Sequence, residues 1–103
     1  MKDSTRASDA VIHARALRAE YLRHQIAFID VEFTTALAFL ARAATERQTG
    51  ALDRVAETIR RAQTAYDEAA THLAAAGLSQ SDEERLERRR REVADRLAEF
   101  STP

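Results

Sequence analysis

Glycine and proline are almost absent from this sequence, and the few that occur divide the chain into three segments. The 103 residues contain two glycines, Gly50 and Gly77, and one proline at the C-terminus. No glycine or proline lies between Ser8 and Arg47, so a strand there would lack the residues that usually end strands. The sequence therefore predicts an all-α fold of three antiparallel helices, forming a single helical domain over residues 1–103.

The stretch FIDVEFT, residues 28–34, is the place where two secondary structures compete. Ile29, Val31 and Phe33 alternate with polar residues, as in a half-buried strand. Ile29 and Phe33 also belong to a stripe with spacings of three and four residues, which is typical of an amphipathic helix. Because no turn residues bound a strand, the helix is favoured. Ile29 and Phe33 are then expected in the core, and Phe28 and Val31 on a different face.

The apolar periodicity also gives the expected bounds of the helices. Helix 1 is predicted over about residues 8–47, helix 2 over about 51–76 and helix 3 over about 80–100. Ser4 or Ser8 could cap the first helix. At about 1.5 Å per residue, helix 1 is much longer than helix 2. Its first segment is therefore expected either to break near residue 20 and fold back or to be covered by another chain.

Two sequence signals mark the junction between helices 2 and 3. Gly77, followed by a leucine, has the form of a Schellman motif, in which glycine adopts a left-handed conformation after the last helical turn. Helix 3 has two candidate N-caps, Ser79 with Asp82 and Ser81 with Glu84, of which only the second pair is a strict capping box.

Each helix carries one stripe of residues that we expect in the core. On helix 1 the stripe is Val11, Leu22, Ile26, Ile29, Phe33, Leu37, Leu40 and Ala44; on helix 2 it is Leu52, Val55, Ile59, Ala62, Tyr66, Ala69, Leu73 and Ala76; on helix 3 it is Leu86, Val93, Leu97 and Phe100.

Helix 1 has a second apolar stripe, displaced by roughly 120° from the first. Helix 3 could cover part of it, although the apolar face of helix 3 is short. A large exposed apolar patch is unusual on a monomer. We therefore predict a homodimer joined through helix 1. The expected interface residues are Leu17, Tyr21, Phe28, Val31 and Phe39.

The segment FLARAATERQTGALDRVAETIRRA, residues 39–62, resembles one tetratricopeptide-type (TPR-like) helical hairpin. The matching positions are Phe39, Ala43 and Gly50, followed by Val55, Ile59 and Ala62. The departures are Arg42, Glu46 and Asp67, and no second copy follows at the repeat offset. The resemblance implies a hairpin that binds a protein or peptide. A generic three-helix bundle is the alternative.

Helix 3 contains the strongest charge feature, ERLERRRRE. Its arginines suggest an alternative function, a regulatory protein that binds nucleic acid or another anion. The expected contact residues are Arg85, Arg88, Arg89 and Arg91. Successive helical residues point about 100° apart, so consecutive arginines do not share one face. Glutamates one turn earlier are also expected to pair with them, in the pairs Glu84–Arg88, Glu87–Arg91 and Glu92–Arg96.

Arg89 and Arg90 flank the expected core edge of helix 3. From there they could reach Asp30 or Glu32 on helix 1 as structural ion pairs. This interpretation makes nucleic-acid binding the less favoured function.

The sequence offers little for chemistry. Glu20–His24 and Glu68–His72 have the E-x-x-x-H spacing, which chelates metals weakly, and the chain has no cysteine. His72 lacks the neighbours usual for phosphotransfer, and no glycine-rich phosphate loop is present. We expect no metal, no cofactor and no enzymatic activity.

The net charge is −1, so no overall field attracts the chain to nucleic acid or an anionic membrane. The first twenty residues lack the apolar segment of a signal peptide, and no apolar run is long enough to cross a bilayer. Arginine and alanine dominate, as in proteins from GC-rich bacterial genomes. We therefore expect a bacterial, cytoplasmic protein that does not bind membranes.

Overall fold

The computed structural model describes residues 2–101, with side chains from residue 6, as three α-helices. Helix α1 spans Lys2–Thr49, α2 spans Leu52–Ala75 and α3 spans Gln80–Ser101. Within the described residues there is no strand, which confirms the all-α prediction. The FIDVEFT stretch is helical throughout.

Contacts between the helices give their directions. Glu46 of α1 contacts Thr58 near the start of α2, and Phe28 contacts His72 near its end, so α1 and α2 are antiparallel. Asp30 and Thr34 of α1 bond to Arg85 and Arg89 of α3, respectively. Residue numbers rise together in these two pairs, and α3 therefore runs parallel to α1. The chain is an up-down-up bundle.

Helix α1 is one continuous helix of 48 residues. It begins before the predicted residue 8, and Ser4 and Ser8 lie inside it, so neither serine is its N-cap and that prediction is wrong. The helix also does not break near residue 20. A helix of this length measures about 72 Å, and the molecule is 74 Å long and only 20 and 15 Å across.

The end of α1 is a Schellman motif at Gly50. The amide of Ala51 donates to the carbonyl oxygen of Glu46 at 2.8 Å, and the amide of Gly50 donates to that of Arg47 at 3.4 Å. Gly50 has φ of 83°. A residue with a Cβ rarely adopts this conformation, which explains why glycine stands here.

The turn between α2 and α3 follows part of the sequence signals. Gly77 has φ of 63°, as expected after a helix end, and Leu78 packs half-buried against the core. Of the two candidate caps, the structure uses Ser79 with Asp82: the Asp82 amide donates to Ser79 Oγ at 3.3 Å, and that hydroxyl donates to Asp82 Oδ2 at 3.0 Å. The bond from the Asp82 amide satisfies one of the free backbone N–H groups in the first turn of α3.

The core lies along the middle of the hairpin and combines large residues of α1 and α3 with alanines of α2. Ile29, Phe33, Leu86 and Val93 are its largest fully enclosed side chains. Because alanine is small, α2 can approach α1 closely. The buried core residues are Ile29, Phe33, Ala36 and Leu40 of α1, Ala62, Ala65, Ala69, Leu73 and Ala76 of α2, and Leu86, Val93 and Leu97 of α3.

Three residues predicted for the core are exposed instead. Leu52 is 66% exposed because it is the first residue of α2, beyond the packed part of the hairpin. Val11 lies on the part of α1 that extends past the hairpin, and Ala44 falls just outside the buried arc. The apolar stripe is therefore longer than the core.

One buried polar contact joins the two helices near their turn. Thr58 Oγ1 donates to Glu46 Oε1 at 2.6 Å, and both residues are buried. Arg42 Nε lies 3.7 Å from the other carboxylate oxygen of Glu46. Glu46 stands where the tetratricopeptide pattern has a tyrosine, so this contact is a specific departure from that pattern.

Helix α1 extends well beyond the other two helices. A side-chain carbon placed on Gly77, in the α2–α3 turn, would lie 3.8 Å from Arg18 Nη2, so the hairpin ends level with Arg18. Every side chain from residue 6 to residue 21 is exposed. We call residues 6–21 the arm.

We predict that Thr58→Val destabilises the fold. The substitution removes the hydrogen bond to Glu46 and leaves a buried carboxylate oxygen without that donor, which costs about 1–3 kcal/mol of unfolding free energy. Urea denaturation followed by circular dichroism measures the loss. Thr64→Val is the matched control because the Thr64 hydroxyl is exposed and bonds to the backbone of its own helix. Equal stability of the two variants would show that the Glu46 contact contributes nothing.

Candidate interaction surface

Four of the five predicted interface residues lie exposed along α1. Leu17 is 54% exposed, Tyr21 53%, Phe28 39% and Val31 59%. We call these four side chains the α1 patch. The patch extends about 21 Å along the helix axis and continues from the arm onto the body of the bundle. Exposed apolar residues are common singly, but a continuous row is not.

Phe39, the fifth predicted interface residue, lies elsewhere. It is half-buried and packs against the core. It lines a shallow depression with Glu57, Arg60 and Thr64 of α2. Near the α1–α2 turn, α2 therefore covers the second apolar stripe of α1, which is exposed farther along the helix.

Helix α3 does not cover the α1 patch. It contacts the side of α1 that carries Asp30 and Thr34. Val31, which lies between these two residues in sequence, remains more than half exposed. Helix α2 touches only one edge of the patch: the rings of Phe28 and His72 are 4.7 Å apart and meet edge to face at 65°. The patch is thus bordered by α2 and open elsewhere.

A pair of carboxyl groups lies beside this edge and was not predicted. Burial raises the pKa of Glu32, and a hydrogen bond to Glu68 together with the charge of Glu68 raises it further, whereas His72 lowers it. The sequence signal that could have indicated this pair is the position of each glutamate next to a core residue. Glu32 directly precedes buried Phe33, and Glu68 directly precedes buried Ala69. Both acids therefore border the core where α1 and α2 meet.

Two of the four predicted anion-contact arginines, Arg85 and Arg89, form ion pairs with a side chain of α1. Arg85 Nη1 lies 3.1 Å and 3.2 Å from the two carboxylate oxygens of Asp30. Arg89 Nε lies 3.3 Å from Asp30 Oδ1, and Arg89 Nη2 donates to Thr34 Oγ1 at 2.7 Å. The predicted contact between Arg89 and Asp30 is confirmed, and Arg85 joins it. These groups tie α3 to α1.

Arg90 reaches α2 rather than α1. Its Nη1 donates to the Tyr66 hydroxyl at 2.9 Å, and its guanidinium also bonds to Glu87. The hydrogen bond from Arg90 lowers the pKa of Glu87. At the far end of α3, Arg47 of α1 stacks over the ring of Phe100 at 4.5 Å. Polar contacts thus fix α3 at its middle and at its end.

The other two anion-contact residues, Arg88 and Arg91, are exposed. They line a shallow surface depression together with Gln80, Glu83, Glu84 and Glu87. Arg91 Nε lies 3.9 Å from Glu87, and the predicted Glu92–Arg96 pair forms at 4.0 Å. Glu84 instead accepts a bond from Gln80 at 3.1 Å. The glutamates place negative charge where an anion would bind.

Neither a metal cluster nor a membrane span is found in the described part of the chain. No three His, Asp or Glu side chains of those residues come together in a group that could hold a metal ion. Among residues 2–101, no helix combines the length and the apolar character needed to cross a bilayer. Comparison with known protein families, curated proteins and solved structures finds no match.

We predict that Glu32→Gln stabilises the protein at pH 7. A raised pKa means that the folded state holds this proton more tightly than the unfolded state, so the charged form lowers stability at high pH. The gain in Tm should shrink as the pH falls toward 4.5, the ordinary pKa of the group. Thermal melts at several pH values measure it. If the two acids repel each other, Glu68→Gln should raise the Tm less in the Glu32→Gln background than in the wild-type protein.

We predict that Asp30→Asn strengthens retention on heparin. Asp30 pairs with both Arg85 and Arg89, so its neutralisation releases two arginines for phosphate or sulfate groups. Asp67→Asn is the control: it removes the same charge from an exposed carboxylate that accepts a bond from Gln63. The salt concentration at elution should be higher for Asp30→Asn. Identical elution of the two variants would contradict the assignment of Asp30.

Proposed function

We propose that this protein is a helical protein–protein interaction module that associates with a second copy of itself through α1. It acts by contact rather than by catalysis, and we place it in the bacterial cytoplasm. The observation that carries the proposal is the α1 patch, a row of four large exposed apolar side chains on a helix that its own bundle covers only in part.

The length of α1 supports the same proposal. Most of the arm extends past Gly77, which lies level with Arg18, and its side chains are exposed from residue 6 to residue 21. Most helical stability in proteins comes from packing of an apolar face rather than from the intrinsic helix propensity of the residues. A second chain along α1 would supply that packing.

A tetratricopeptide-like role in binding another protein or a peptide belongs to the same class of function. The hairpin of residues 39–62 turns at Gly50, which has a positive φ of 83°. Its matching position Phe39 packs against the core rather than facing a partner. The geometry therefore favours α1, rather than the hairpin, as the contact surface.

We predict that the wild-type protein has twice the 11.5 kDa mass of one chain in light scattering at micromolar concentration, and that Leu17→Glu halves it. A buried glutamate in an apolar interface is strongly unfavourable. Light scattering is the right measurement because a chain 74 Å long elutes early from a sizing column whatever its mass.

Ile12→Glu is the matched control for Leu17→Glu. Ile12 is 64% exposed on the same arm, about 140° around the helix from Leu17. It should leave the mass unchanged. A monomeric wild-type protein, or equal loss of dimer in both variants, would contradict the proposal.

A further inference from the structure

The arm and the α1 patch belong to a single heptad seam. Starting at residue 7, the positions at alternating spacings of three and four carry apolar or small residues except at His24, and this is the repeat that joins helices in coiled coils. Every member up to residue 31 is exposed. The seam consists of Ala7, Ala10, Ala14, Leu17, Tyr21, His24, Phe28 and Val31.

Residue size along the seam is strongly asymmetric. Its first three members are alanines, and the members from Leu17 onward are large. In a parallel pair of identical helices, each residue would face its own copy, so alanine layers would require a short interaxial distance and Tyr21 a longer one. In an antiparallel pair centred between Ala14 and Leu17, small residues face large ones in each layer from residue 7 to residue 24, and one interaxial distance suits all of these layers, with Phe28 and Val31 beyond the paired segment.

We infer that the arms of two copies pair antiparallel, with Ala14 facing Leu17, Ala10 facing Tyr21 and Ala7 facing His24 of the second copy. This inference rests on the proposed self-association and adds the direction and register of the contact. The paired segment extends from residue 7 to residue 24, about 27 Å of helix. It ends beside the Phe28–His72 contact of each bundle.

Polar side chains beside the seam agree with this register. His13 and Glu20 occupy the same flanking edge, two turns apart, and both are exposed. In the antiparallel register His13 faces Glu20 of the second copy, and the twofold symmetry makes this contact twice. In a parallel pair His13 would instead face Arg18, and Glu20 would face Gln25. The pairing of a hydrogen-bond donor with an acceptor and the sizes of the residues thus select the same direction.

The chain contains no cysteine, so introduced cysteines can report the register directly. Ala7→Cys and His24→Cys lie at exposed positions, and neither removes an apolar residue of the α1 patch. Each variant is purified alone, and the two are also mixed and allowed to exchange subunits. A short bismaleimide is added, and cross-linked dimers are counted by gel electrophoresis and mass spectrometry.

The inference predicts cross-linking in the mixture and nearly none in either variant alone, because two copies of the same position are about 25 Å apart in the antiparallel register. Ala16→Cys mixed with His24→Cys is the control, since Ala16 is exposed away from the seam. It should give no cross-link.

The possible failures are distinguishable. Cross-linking of each variant with itself would show a parallel pair, and a dimer by light scattering without any of these cross-links would place the interface elsewhere. Either result overturns the antiparallel register and leaves self-association standing. A wild-type protein that is monomeric by light scattering overturns the register together with the proposed function.

Discussion

The structure depends on the unequal lengths of its helices. Helix α1 has 48 residues and α2 has 24, so a hairpin formed by the two can bury only about half of α1. Because α1 contains no glycine or proline, it has no position at which it readily turns back. The core, the open patch and the arm all follow from this mismatch.

Around the buried half of α1, the other helices occupy different sides by different means. Helix α2 is held mainly by alanines packed against Ile29 and Phe33, whereas α3 adds several polar contacts, with Asp30 as the shared acceptor. When polar contacts of this kind are partly exposed, each contributes less to the free energy of unfolding than the burial of an apolar side chain does. Helix α3 therefore completes the core with Leu86, Val93 and Leu97 and takes its orientation from its arginines.

The sequence predicted the features that depend on local conformation. Gly50 and Gly77 mark the helix ends because a left-handed residue is needed there, and Ser79 caps α3 by a local hydrogen bond. The sequence did not predict the features that depend on how the helices pack against one another. Ser4 and Ser8 are typical N-cap residues but lie inside α1, and Leu52 fits the stripe of α2 but lies past the packed region.

The same distinction applies to the candidate surface. Periodicity predicted that Leu17, Tyr21, Phe28 and Val31 lie on one side of α1, and all four side chains are exposed in the structure. Phe39 lies on the same stripe, but the path of α2 near the turn covers it. The Glu32–Glu68 pair and the Glu46–Thr58 bond join residues far apart in sequence, which no local pattern indicates.

The alanines of α2 have a further consequence. A helix face lined by methyl groups is nearly smooth, so it fixes the distance between two helices but hardly resists sliding of one along the other. Large side chains that interlock would normally fix the axial position. In this hairpin the hydrogen bond between Glu46 and Thr58 is a directional contact that is lost when α2 shifts by one turn. The buried glutamate thus adds a directional restraint on the axial position of α2 to the packing of Leu73 and Tyr66.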